Sequence, residues 1–259
     1  MTTSSIPYMK PPRRFYFSWI PGVIFKPKQT FASITSQASS WFTPMLVLTL
    51  AVLIHVLASG WVNQQIAATG VIPTPPDFQY WNQEMQNQYM QSQQVRQGSV
   101  FLYVIPAIGA LSAAWIGWLI VGGMLHLATT LLGGRGETSA SINLVAWANL
   151  PFAIREVVRG IYLLATRQPI AAEGLAGFVD SASGSAAVFL VSLLALVDIY
   201  LIWHVVLMAI GVHSHTRLPA GKATIGAASV VLIVVLIQAL FGYLFSQLSA
   251  LSVVRPFFF

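Results

Sequence analysis

The sequence predicts an all-α, polytopic integral membrane helix bundle with five transmembrane spans, a cytoplasmic N-terminus and a C-terminus outside. Three observations predict it. First, 56% of the 259 residues are hydrophobic and only 8% are charged, against about 25% charged in an ordinary soluble domain. Second, the apolar residues fall in runs long enough to cross a bilayer. Third, Lys and Arg are distributed unevenly between the segments that join those runs. Intrinsic disorder is excluded, because it requires low hydrophobicity with high net charge. The absence of cysteine excludes a disulfide framework and cysteine-ligated zinc or iron–sulfur chemistry.

A hydrocarbon core about 30 Å thick requires about 20 consecutive apolar helical residues. The runs 44–62, 100–132, 144–165, 186–212 and 224–251 meet or approach that length. The second would be about 50 Å long as one helix, so it tilts or projects beyond the membrane toward Gly133. Arg155, Glu156 and Arg159 interrupt the third.

The segment before the first span, 1–43, carries Lys10, Arg13, Arg14, Lys26 and Lys28 and no acidic residue. Its apolar run starts too late for a secretory signal, so no cleavage is expected. The first and third loops are net acidic: Asp77, Glu84 and Arg96 in one, Arg167, Glu173 and Asp180 in the other. The second balances Arg135 with Glu137, and the fourth holds Arg217 and Lys222. Lys and Arg excess marks the cytoplasmic face, which gives the orientation stated above. The net charge of +6 is therefore topological, and a nucleic-acid partner is unsupported.

Between the spans, Arg13-Arg14-Phe15-Tyr16-Phe17-Ser18-Trp19-Ile20 sets cations beside aromatics. Such a cluster suits the headgroup level. After Pro27, Phe31 and Ile34 share one face of a short amphipathic segment, away from Gln29, Ser33 and Gln37. Arg13, Arg14, Phe15, Trp19, Phe31 and Ile34 form either an interfacial anchor or a docking site for a cytoplasmic partner. The external loop, 63–99, opens with Pro73, Pro75 and Pro76 and turns glutamine-rich. Phe78, Trp81, Met85 and Tyr89 would share a helical face there, with glutamine-rich disorder as the alternative. Gly133-Gly134-Arg135-Gly136 lacks the Lys-Ser/Thr ending of a phosphate loop and is expected to be a helix cap and tight turn. An aromatic tail, 252–259, closes the chain.

Ionisable groups within a membrane are costly and mark function by default. Arg155 and Arg159 lie one turn apart, Asp198 lies near the middle of the fourth span, and His204 follows six residues later. Three accounts stand: interhelical pairing of Asp198 with one arginine while Glu156 balances the other, a proton or substrate relay, or arginines on lipid phosphates if the span breaks near Pro151. An intramembrane hydrolase would need a serine in a Gly-x-Ser-Gly setting. Ser183-Gly184 supplies half of that, with Ser181 where the first glycine belongs. His55, His126 and His204 are scattered, and His213 and His215 lack a carboxylate or cysteine to complete a metal clip. No catalytic residue, metal or cofactor is assigned. Gly109, Ala113 and Gly117 recur at four-residue spacing, a stripe that lets helices approach closely, within the chain or in a homo-oligomer.

Pro27-Lys28-Gln29-Thr30-Phe31 with Ile34, then Trp41 and Pro44, resembles the opening segment of the Yip domain family, the Ypt/Rab-interacting membrane proteins. Val145-Ala146-Trp147-Ala148 with Pro151 is similar to that family's third-span opening. The run from Asp198-Ile199-Tyr200-Leu201-Ile202-Trp203 through Val206-Leu207-Met208-Ala209-Ile210-Gly211-Val212, then Lys222-Ala223, resembles the fourth-span signature of bacterial members. The resemblance implies a five-helix membrane domain with a cytoplasmic N-terminus. Eukaryotic relatives bind small GTPases and shape membranes. The short basic leader lacks the acidic, tyrosine-containing segment of those relatives, which argues against small-GTPase binding. The expectation is a non-catalytic membrane-organising or accessory subunit in a prokaryotic plasma membrane, its partners the lipid bilayer and a larger protein complex. The alternatives are a small transporter or channel using Arg155, Arg159 and Asp198, and the hydrolase.

Overall fold

The computed structural model describes residues 15–35, 39–69, 74–75, 77–179 and 185–254. Arg13, Arg14, Gln37, Pro73, Pro76, Asp180, Ser181, Ser183, Gly184 and the end of the tail, 255–259, lie outside the described residues. Among the described residues the chain is helical, without strands. Ten α-helices follow in order: α1 Trp19–Phe25, α2 Pro27–Thr35, α3 Phe42–Ala68, α4 Gln83–Arg96, α5 Ile105–Leu131, α6 Thr138–Ala148, α7 Leu150–Thr166, α8 Ser185–Leu194, α9 Ile199–Thr216 and α10 Ala220–Val254.

Four of the described helical stretches are long and apolar enough to cross a membrane: Phe42–Ala68, Val100–Leu131, Ile199–Thr216 and Ala220–Leu248. The second begins with a π-helical turn, Val100–Val104. These helices expose large aliphatic side chains, among them Leu57, Ile108, Ile116, Leu127, Leu232 and Ile237. In water such a surface would be unstable, whereas against acyl chains it carries no penalty.

The runs expected as continuous third and fourth spans are each broken into two helices, so four single helices, not five, are long and apolar enough to cross among the described residues. The third divides at Asn149 into α6 and the charged α7. Pro151 has no N–H and its ring opposes a helical turn into the preceding carbonyls, so the ladder stops there. The fourth divides between Leu194 and Ile199. Asp198, expected within a helix, is instead the extended N-cap of α9, and its carboxylate accepts the N–H of Leu201 at 2.8 Å. A carboxylate that caps one helix in this way competes with continuation of the preceding one.

α7 packs most extensively on α3, and α6 lies against α5 and α9. The consecutive α6 and α7 run beside α3 in its direction. The pairs Trp147–Ser40, Glu156–His55 and Leu163–Val62 advance along both strands of chain together. The α9–α10 hairpin completes the bundle. Its close approaches occur at glycines other than those of the expected stripe. A Cβ on Gly211 would lie 2.7 Å from Leu144 Cγ, and one on Gly122 would lie 2.9 Å from Ile142 Cα. At Gly109 and Gly117 nothing among the described residues lies within 4 Å of such an atom.

The described part of the leader packs on the bundle. Phe31 and Ile34 are fully buried, together with Val23, in the same core as Trp147, Met208 and Val212. They therefore anchor α2 to the protein, chiefly to α9. Trp19 stacks on Tyr16 and meets Trp147. Phe15 remains half exposed, stacked on Phe17. In the loop between α3 and α5, Asn82 caps α4 by accepting the Met85 N–H, and Phe78, Trp81 and Tyr89 cluster at ring separations of 5.5–5.7 Å. At the end of α5, Gly133 takes φ +89°. Its N–H and that of Gly134 bond the carbonyls of Thr130 and Thr129, the two bonds of a Schellman cap.

Candidate functional site

The two helix breaks bring the intramembrane charges into one cluster. Arg155 and Glu156 lie in the second turn of α7, and Arg159 follows one turn later. Arg155 Nε donates to Glu156 Oε1 at 3.1 Å, and its Nη1 lies 3.4 Å from Asp198 Oδ2 at the start of α9. The second oxygen of Glu156 accepts from Nδ1 of His55, near the middle of α3. Arg159 Nη1 is 3.8 Å from Glu156, and its Nη2 is 3.1 Å from Glu173 in the loop after α7. The guanidinium of Arg155 also covers the Phe152 ring at 4.8 Å. Three helices and a loop are thereby tied through side chains that are mostly withdrawn from solvent.

His204 stands beside this cluster without joining it. It is buried, its ring 4.7 Å from that of Phe152. Its Nδ1–H donates to the carbonyl of Ala148 at 2.8 Å, one of the acceptors released where α6 ends. The other break is closed by the loop. The Leu175 N–H donates to the carbonyls of Leu194 and Val197, and Gly174, at φ +52°, lets the loop approach. Non-helical backbone at membrane depth persists only when its polar groups are satisfied in this way.

Arg155, Glu156 and Arg159 open onto a cleft of about 550 Å³. Its walls come from α3, α5 and α10, through residues such as Val52, Ala110, Val121, Val231 and Val235. Ala113 and Gly117, from the small-residue stripe, line it, whereas Gly109 faces outward. Asn149 and Gln238 add polar groups to its surface.

Sequence reasoning did not single out His55, Glu173, Asn149 or Gln238 for the site. Gln238 carried a signal, as a lone amide in an otherwise apolar stretch of α10; His55 carried little, since its partner lies 101 residues away. His213 Nδ1 donates to the Leu218 carbonyl at 2.7 Å, closing the α9–α10 turn.

A helical bundle with long apolar helices, lipid-compatible flanks and charges paired in its interior is an integral membrane protein. The Yip1 domain matches residues 22–242, most of the chain, which therefore belongs to the Yip1 domain family. The family is not known as enzymatic. No curated protein and no solved structure matches the chain.

Proposed function

We propose that the chain is a non-catalytic membrane-organising or accessory subunit of a larger membrane protein assembly. The observation that carries this reading is the pairing of its intramembrane charges with one another. Arg155, Glu156, Asp198, Arg159, Glu173 and His55 offset each other's charge and cross-link α3, α7 and α9. Charges spent in this way stiffen a scaffold. The exposed aromatics Phe15, Phe17 and Phe25 beside α1 offer a surface to a partner; the basic leader does not favour a small GTPase. In the plasma membrane of a prokaryote, the broken helix pairs α6–α7 and α8–α9 would complete five crossings, with the N-terminus in the cytoplasm. Arg135, Arg217 and Lys222 converge on one recess of about 600 Å³, which favours that face as cytoplasmic.

The test is partner capture from native membranes. Tagged protein is crosslinked, extracted in mild detergent, sized, and analysed by mass spectrometry. A stoichiometric partner at high mass is the expected result; a lone monomer or homodimer overturns the reading. A second reading, a small transporter or channel, draws support from the cleft that reaches Arg155 and Arg159. It predicts solute or proton flux in vesicles that Asp198→Asn abolishes while the fold stays intact.

A further inference from the structure

We propose that the cleft between α3, α5, α7 and α10 is a binding site for an anionic phospholipid, its phosphate held by Arg155 and Arg159 and an acyl chain lying along the apolar walls. Asp198 and Glu173, the acids that pair the arginines from behind, do not line the cleft; Glu156 does. The face presented to a ligand therefore carries two guanidinium groups against one carboxylate. That carboxylate already accepts from His55 and Arg155.

Donor capacity remains as well. Among the described residues, Arg155 Nη2 and Arg159 Nε have no hydrogen-bond acceptor. Guanidinium donors in a desolvated cleft select acceptor-rich anions such as phosphate. The volume of about 550 Å³ lies in the range of ligand pockets, as does a mostly apolar lining with a few converging polar groups.

α5 supplies the space. Ala110, Ala113, Ala114 and Gly117 face the cleft, and nothing stands within 4 Å of where a Gly117 side chain would begin. The small residues thus leave a chain-sized gap where a close helix contact was expected. A lipid is favoured over a free anion because the apolar lining is extensive, running from Phe101 in the π-helical turn along α5 to Val121.

The experiment uses the full chain in mild detergent and does not depend on the accessory-subunit reading. Lipid retained through purification is measured by native mass spectrometry after exchange into micelles doped with phosphatidylglycerol or phosphatidylcholine of identical chains. The expected result is about tenfold better retention of phosphatidylglycerol, the equivalent of one charge-assisted hydrogen bond. Gly117→Leu fills the cleft without touching the ionic cluster and should abolish that preference. Arg159→Gln should do the same through the head group. Equal retention of the two lipids by the unaltered chain overturns the proposal, whether or not either variant folds. So does a preference that survives Gly117→Leu. Displacement of the lipid by inorganic phosphate alone would reassign the arginines to a soluble anion and overturn the lipid assignment.

Discussion

Asp198 does two separable things, and replacing it in three ways should resolve them. Its Oδ1 caps α9 through the Leu201 N–H at 2.8 Å, and its Oδ2 faces Arg155 Nη1 at 3.4 Å. Losing an N-cap costs about 1 kcal/mol, and Asn or Ser can replace Asp in that role. The ion pair is long, and Arg155 retains Glu156, so its loss should cost about 1 kcal/mol more and not the 3–5 of a fully orphaned buried charge. Asp198→Asn preserves the cap and loses only charge, giving about 1 kcal/mol of destabilisation. Asp198→Ser keeps the cap without reaching Arg155 and should lie close to the Asn variant. Asp198→Ala loses both and should cost about 2 kcal/mol. Equilibrium unfolding in mixed micelles with increasing SDS, followed by tryptophan fluorescence, reads these differences. If Asn and Ala destabilise equally, the cap is not the separate contribution the geometry assigns to it. If none of the three moves the transition, Asp198 does not hold α9 to α7.

Other substitutions test the packing and the topology. Gly211→Val should cost about 1–3 kcal/mol by overpacking against Leu144, and a shorter side chain at Leu144 should recover part of the loss in the same unfolding assay. A Cβ on Gly109 would meet nothing within 4 Å among the described residues, so Gly109→Leu should leave monomer stability unchanged; a smaller particle on sizing would place the stripe at a homo-oligomer contact. Ser40→Ala should cost about 1–3 kcal/mol, because buried Ser40 accepts from Trp147 Nε1 at 2.8 Å and donates to Asn143 Oδ1 at 3.1 Å. The absence of native cysteine allows single-cysteine labelling without background. Gln168→Cys should react with a membrane-impermeant maleimide in intact cells and Ser139→Cys only after lysis; the reverse pattern would invert the proposed orientation.

The membrane class and the positions of α3, α5 and α10 were legible because hydropathy summed over twenty residues survives local detail. The breaks were not. The run 186–212 stays apolar straight through the interval where α8 stops and α9 begins, so no window average marks it. Asp198 was visible as an anomaly, but its role depends on the local backbone turning extended, which composition does not encode. Phe31 and Ile34 show a related limit. Their spacing defines an apolar face correctly, yet periodicity does not say whether lipid, a partner or α9 covers that face. The glycine stripe shows the opposite case: Gly109 and Gly117 have the spacing of a helix contact, yet a Cβ on either would meet nothing within 4 Å among the described residues, while Gly122 and Gly211 have close neighbours. Small residues permit close approach without requiring it.

The polar residues of the interior first serve the backbone. His204 occupies the Ala148 carbonyl, Asp198 occupies the Leu201 N–H, and the Leu175 N–H crosses to two carbonyls at the other break. Without them, each freed group would stand in a low-dielectric medium at a cost of several kcal/mol. The charges that remain are then constrained by the positions of the breaks. Arg155 is held over Phe152 by the acid that caps α9, and Arg159 is held by a loop that returns to close the gap after α8. A continuous third and fourth helix would need none of this and would satisfy the same bilayer with plain leucine. The breaks therefore account for the placement of two arginines that line a single cleft, and that cleft is where a function beyond scaffolding has to be sought.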